Sequence, residues 1–204
     1  VTILPLPFKE MYFSHLGGRE SYQRFYDETY KISLHHIFRA RSWMKHFDPE
    51  AGATILELGC GTGGNLIHYA ALGFRIEGVE ISRTAVEAFG RHLEQEPEEV
   101  RSRIQMTQGW IEDFEPTKPY DYVILAEVLE HVIDPVAVMN VGRRSLSDTG
   151  EVYITAPTFI NSYSGSHVRV VYPRTLEKWT AQAGLRITWI EREPKRVFCK
   201  AVKA

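Results

Sequence analysis

Three groups of residues in this chain have the types and spacings that chemistry uses. Residues 55–65 read Ile-Leu-Glu-Leu-Gly-Cys-Gly-Thr-Gly-Gly-Asn, an apolar strand running into glycines, and Leu66-Ile67-His68-Tyr69-Ala70-Ala71 then opens a helix. A strand, a glycine turn and a helix start together form a nucleotide-binding corner, where a ligand meets bare backbone and the N–H groups of a helix end. Gly59 and Gly61 permit the tight turn, and Gly63 is expected to let the helix approach the strand closely. Glu57 directs a carboxylate into the same crevice, which suits a cationic or zwitterionic ligand better than a diphosphate. The second group is Gly78-Val79-Glu80-Ile81-Ser82, where Glu80 can accept two hydroxyl hydrogen bonds from a ribose, or simply serve as a solvated acid at a helix start. The third is Glu127, Glu130 and His131, at i, i+3 and i+4, which would share one face of a helical turn. Two carboxylates and an imidazole could bind a divalent cation, and the imidazole alone could act as a general base. His167, in Ser164-Gly165-Ser166-His167-Val168-Arg169, is a fourth candidate ligand, whereas His35 and His36 are adjacent and diverge on a helix.

These residues need elements to position them, and the sequence alternates strands with helices from residue 54 onward. Strands are expected at Thr54–Leu58, Arg75–Glu80, Ile104–Gln108, Tyr120–Ala126 and Glu151–Ala156, the last after a turn at Asp148-Thr149-Gly150. Helices are expected from about Asn65 to Leu72 (closed by Gly73), from an N-cap at Ser82 to about Gln95, between Val136 and Ser145, and from Pro173 to Gln182. Leu185–Arg192 and Val197–Val202 alternate apolar and polar residues around Glu193-Pro194-Lys195, which reads as a hairpin. Upstream, Tyr22 to Phe47 carry aromatic and apolar residues at helical spacing until Asp48-Pro49-Glu50-Ala51-Gly52 breaks the pattern.

Composition narrows the classes. With 204 residues the chain supports one full core and not comfortably two, and a net charge of −2 gives no sign of a nucleic-acid surface. No run approaches membrane-spanning length, and the apolar start from Val1 to Pro7 lacks a basic leader. The two cysteines, Cys60 and Cys199, suggest no disulfide framework, so a cytoplasmic location is expected. The sequence is silent on oligomeric state.

The order Glu-x-Gly-x-Gly-x-Gly over residues 57–63 resembles the first motif of class I S-adenosylmethionine (SAM) methyltransferases. Tyr120 to Pro135, with Ser147-Asp148-Thr149-Gly150, closely resembles the corresponding segments of these enzymes, and the resemblance runs from about residue 50 to the C-terminus. It implies an α/β fold, a Rossmann-like doubly wound sheet of seven strands in the order 3-2-1-4-5-7-6 with an antiparallel last strand. Residues 1–50 would form a helical cap or lid, and residues 51–204 the SAM-binding domain. Glu57 would face the methionine end of SAM. Gly59, Cys60, Gly61, Gly63 and Asn65 would line methionine and ribose, and Glu80 and Ile81 would hold the ribose. Ile111 would offer its N–H and an apolar wall to adenine, and the Ala126 backbone would lie beneath the methionine part. Trp110 stands where relatives often carry an aspartate, so it either stacks on adenine or packs outward.

The pattern Glu-x-x-Glu-His with a distant histidine is similar to two metal-dependent O-methyltransferase groups, one acting on catechol-like ubiquinone precursors and one on the terminal 2′-hydroxyl of small RNAs. In both, a cation such as Mg2+ would bind the acceptor oxygens and lower the pKa of the attacked hydroxyl. Glu127, Glu130, His131 and His167 would be its ligands here; without metal, His131 would be a base or would pack. The expected activity is therefore methyl transfer to a small molecule, to oxygen first and nitrogen second. A non-catalytic SAM-binding module is the alternative of a different class, and RNA 2′-O-methylation is disfavoured by the missing basic stripe. Phe159, Asn161, Tyr163 and His167 are expected to line the acceptor pocket. Tyr22, Phe25, Tyr26 and Tyr30 are expected either to close over cofactor and acceptor as a lid, with Tyr26 touching the cofactor, or to pack as core.

Overall fold

Ile55, Leu56 and Leu58 are fully buried, as expected for a strand covered on both faces, and they form β1 (Thr54–Leu58) inside the sheet. The other strands are β2 (Arg75–Glu80), β3 (Ile104–Gln108), β4 (Tyr120–Ala126), β5 (Leu146–Pro157), β6 (Leu185–Arg192) and β7 (Arg196–Lys203). In the computed structural model, which describes residues 18–29, 42–159 and 167–204, the seven strands lie in the order β3-β2-β1-β4-β5-β7-β6. The first five pair in parallel, and β7 runs antiparallel to both β5 and β6. This is the doubly wound arrangement that the resemblance implies, and its order reverses beside β1, where the crevice opens at the carboxyl ends of β1 and β4.

The helices are α1 (Arg19–Thr29), α2 (Gly64–Ala71), α3 (Arg83–Leu93), α4 (Glu98–Arg101), α5 (Pro135–Ser145) and α6 (Pro173–Gln182). Side chains alternate across the sheet. Ile55 and Ile124 face a layer with Phe47, Leu66, Tyr69 and Phe89, while Leu56, Val123 and Leu125 face a layer with Val138, Met139 and Leu176. The Ser82 hydroxyl accepts the Ala85 N–H at 3.2 Å and caps α3, and Asp134 caps α5 by accepting from Val136 and Ala137, with Pro135 in the first turn.

Beyond shifts of a residue or two at element ends, two features differ from the sequence reading. β5 begins at Leu146 rather than Glu151, because Leu146 already pairs with Tyr120; the register then shifts, and Asp148-Thr149-Gly150 lies within the strand. The chain also makes a further turn of helix, α4, directly after Pro97, where the sequence reading had only the end of a helix.

Candidate active site

The glycine corner forms where expected. Gly59 and Cys60 both donate to the Val79 carbonyl, at 2.8 and 3.1 Å, tying the turn after β1 to the end of β2. Gly63 caps α2 in the left-handed region, at φ 71°, and a Cβ there would lie 2.2 Å from Cδ2 of Phe89. The crowding at Gly63 therefore comes from α3. The close helix–strand approach falls at Gly78 of β2 instead, where a Cβ would lie 2.6 Å from both Cys60 Sγ and Leu66 Cδ1.

Two acids flank this turn. Glu57 is 3 % exposed; its Oε1 accepts from Asn65 Nδ2 at 2.6 Å, and its Oε2 is buried with no hydrogen-bond partner among the described residues. Burial pushes its carboxyl up to about 8, with the Asn65 bond opposing the shift. An orphaned, buried acceptor fits a cationic group that would pair with it on binding. Glu80 is held by backbone: its Oε2 accepts the Gly61 N–H and its Oε1 the Ser82 N–H, each at 2.8 Å, and each oxygen keeps acceptor capacity. Burial raises its pKa as well, opposed by these N–H donors.

Helix α1 crosses the strand ends. Its Arg19 makes a forked contact with Asp113 beyond β3, and Asp27 accepts the Arg83 N–H at 2.7 Å where α3 begins. The Tyr22 ring lies 5.1 Å from that of Trp110, and the Arg19 guanidinium lies 4.8 Å over the same indole. Tyr26 meets His131 edge-on at 6.3 Å, and the Tyr22 hydroxyl donates to the His131 carbonyl at 3.3 Å. The helix thus packs like core, with Tyr22 buried, while spanning both ends of the crevice. Ile111 is buried behind the indole and faces Gly59.

A second cluster is built on the turn after β4. Glu130 is fully buried and neither of its oxygens has a hydrogen-bond partner among the described residues, so burial, then the neighbouring Glu127 charge, raises its pKa well above the ordinary range. His131 Nε2 lies 3.7 Å from Glu130 Oε1, and its ring meets that of His167 edge-on at 4.8 Å. His167 Nδ1 is buried with no hydrogen-bond partner among the described residues, and burial lowers its pKa to about 4, leaving a neutral imidazole at neutral pH. One donor atom from each of Glu130, His131 and His167 lies within 4.8 Å of the others, a donor set that suits a divalent cation.

A family model described as a methyltransferase domain matches residues 22–189. The chain belongs to this family, as a class I SAM-dependent methyltransferase domain. It is similar to the mitochondrial ubiquinone biosynthesis O-methyltransferase of Candida albicans, with 28 % identity over 158 residues, 72 % of this chain and 48 % of the relative. It is also similar to the ubiquinone biosynthesis O-methyltransferase of Thiobacillus denitrificans, with 30 % identity over 60 % of this chain and 52 % of the relative. The domain spans about half the length of these curated relatives. Among solved structures, the glycopeptide N-methyltransferase MtfA complexed with SAM superposes with a TM-score of 0.69 at 16 % identity, covering 85 % of this chain and 100 % of that one. The Haemonchus contortus phosphoethanolamine N-methyltransferase 2 superposes with a TM-score of 0.72 at 17 % identity, covering 91 % of this chain and 60 % of that one. Both share the fold.

The methyltransferase domain departs from the sequence reading at Glu127. Glu127 lies outside the helical turn that follows β4: it sits in the left-handed region at φ 57°, and the turn begins one residue later, with His131 N–H and Val132 N–H both on the Val128 carbonyl. Glu127 is consequently turned from the other two. Arg196 grips both its oxygens, at 2.9 Å each, and Thr155 Oγ1 donates to it at 3.1 Å. Ala126 is buried at the end of β4, Ile81 is half-buried after β2, and Phe159 is exposed after β5. Asn161, Tyr163 and Ser164–Ser166, together with Tyr30, Ile32, Leu34, His35, His36, Ile37, Phe38 and the start of the chain, lie outside the described residues. Two cations had no local signal in the sequence. Arg196 lies at the far side of a hairpin, and Arg169 donates to the carbonyls of Leu129 (2.9 Å), Val132 and Ile133 (3.1 Å), clamping the turn that carries Glu130 and His131.

Proposed function

We propose that this domain transfers the methyl group of SAM to an oxygen of a small-molecule acceptor, with a divalent cation such as Mg2+ held by Glu130, His131 and His167. The observation that carries the reading is the convergence of buried, unbonded donor atoms on Glu130 and His167 with the His131 imidazole, beside the glycine corner. Bound SAM supplies an electrophilic methyl on a sulfonium. Glu57, whose Oε2 is orphaned, would hold its ammonium, and Glu80 would hold the ribose hydroxyls. The backbone of Gly59, Cys60, Gly61 and Gly63 lines the cofactor with Asn65 and Ala126, and Ile81, Trp110 and Ile111 enclose the adenine end. Residues 1–50, through α1 and Tyr26, act as a cap that excludes water. Glu130, His131 and His167 would hold the cation, which would supply a Lewis acid that lowers the pKa of the acceptor hydroxyl. Arg196 holds Glu127 in place at the rim, and Phe159, Asn161 and Tyr163 are the residues proposed to select the acceptor.

A second reading rests on the 3.7 Å spacing of His131 Nε2 and Glu130 Oε1, which suits a metal-free base taking the proton of an amine acceptor. The ubiquinone-pathway relatives support a catechol-like acceptor and the oxygen reading. No described helix is long and apolar enough to cross a membrane; we place the protein in the cytoplasm, to be tested by fractionation. Isotope-labelled SAM with catechol and amine panels, with and without EDTA followed by Mg2+, separates the readings. Catechol methylation lost in EDTA and restored by Mg2+ is expected. Undiminished activity in EDTA, with no cation by elemental analysis, leaves His131 as base. A folded protein that does not bind SAM by calorimetry removes both.

A further inference from the structure

We propose that His46, Glu191 and Glu193 form a second divalent-cation site, of zinc-like preference, that fastens the segment entering β1 to the β6–β7 hairpin. One donor atom from each residue lies within 4.8 Å of the others. The His46 ring is fixed from two sides, 4.9 Å from Trp189 at 56° and 4.9 Å from Phe198 at 78°, so little side-chain freedom is lost on ligation. Its Nε2 is buried with no hydrogen-bond partner among the described residues, which is costly for a ring nitrogen unless something completes it. Glu191 and Glu193 are two apart on one edge of the hairpin, and Glu191 is register partner to Phe198, the residue His46 packs against. The hairpin end is firm, since Glu193 N–H donates to the Arg196 carbonyl at 2.8 Å.

The donor set names the ion class. One imidazole with two carboxylates suits Zn2+, Co2+ or Ni2+ better than Mg2+, which prefers oxygen alone. Three protein donors leave a fourth position for water. Tetrahedral zinc holds its donors roughly 3.4 Å apart, so the exposed Glu191 carboxylate has to swing inward, which its exposure allows. The competing cation is Lys45: it pairs with Glu193 and its ammonium lies 4.8 Å over the Phe198 ring. Zinc binding therefore displaces Lys45 from Glu193. This site is separate from the Glu130 cluster and does not depend on the function proposed above.

The test is titration of zinc chloride into the whole chain by calorimetry, in a His167→Gln background that weakens the acceptor-side cluster. One zinc per chain is expected to bind, to be lost on adding His46→Gln or the surface pair Glu191→Gln/Glu193→Gln, and to bind several-fold more tightly on adding Lys45→Met. Thermal melts without zinc establish that each variant is folded. Equal zinc stoichiometry with and without the Glu191→Gln/Glu193→Gln pair, or no zinc bound in the His167→Gln background, overturns the proposal.

Discussion

Glu57→Gln separates what the cofactor site costs the fold from what it offers the ligand. In the unliganded protein, burial holds the Glu57 carboxyl up to about 8 against an ordinary 4.5. Between those values the folded state binds more protons than the unfolded state, so stability falls as pH rises through the window. The slope is about 1.4 kcal/mol per pH unit, giving a loss of roughly 3 kcal/mol from this group by pH 7, complete once pH passes the folded value. Glutamine keeps an acceptor for Asn65 Nδ2 and cannot ionise, so that slope disappears, and urea unfolding in half-unit pH steps measures it directly. The ligand side moves the other way. A charge-assisted hydrogen bond to the SAM ammonium contributes about 1.5–3 kcal/mol, so the substitution weakens SAM by about tenfold to a hundredfold in calorimetry. Wild-type binding must first ionise Glu57 at neutral pH, so its advantage over the glutamine variant grows by up to about tenfold from pH 7 to 8. The reasoning is refuted if the variant keeps the wild-type stability slope, or if it binds SAM as tightly as wild type.

Gly63→Ala puts a methyl 2.2 Å from Phe89 Cδ2 at a left-handed residue, and a loss of about 3 kcal/mol or more in denaturant unfolding is expected, together with weaker SAM binding. Arg196→Met strips the partner from a Glu127 side chain that is only 12 % exposed, which costs about 3 kcal/mol; adding Glu127→Gln recovers most of it, read by a double-mutant cycle. His167, held down to about 4 against 6.5, contributes stability that is lost as pH falls through that window, about 2 kcal/mol after allowing for partial solvation; His167→Asn flattens that acid limb in urea unfolding.

The central strands were legible because they are buried on both faces and read as apolar runs, as in Val123-Ile124-Leu125, and the terminal hairpin because its residues alternate. Helix starts were legible where a single residue supplies the cap, as Ser82 does for α3. What escaped was decided between elements. The early start of β5 depends on Tyr120 pairing with Leu146, and no local residue announces that. The glycines were recognised, yet Gly63 meets α3 and Gly78 meets α2, because which surface crowds a glycine is fixed only once the layers pack.

The turn after β4 carries the same point into the site. A spacing of i, i+3 and i+4 gathers side chains only if the residues between them are helical, and Glu127 at φ 57° breaks that premise at its first member. Glu130 and His131 nevertheless meet His167, and the reason is long-range. Val168 N–H donates to the Glu130 carbonyl at 2.9 Å, which sets His167 in register with the turn, and Arg169 then takes the carbonyls of Leu129, Val132 and Ile133, which the one turn closed on Val128 does not use. The guanidinium thereby clamps the turn, and the pair of Arg196 with Glu127 holds the residue that the turn leaves out. A pattern read as one helical face is thus divided by two arginines from elsewhere in the chain, Arg169 clamping the turn of Glu130 and His131 and Arg196 holding Glu127 apart. Removing Arg169 should therefore disturb the Glu130 cluster without touching any of its members.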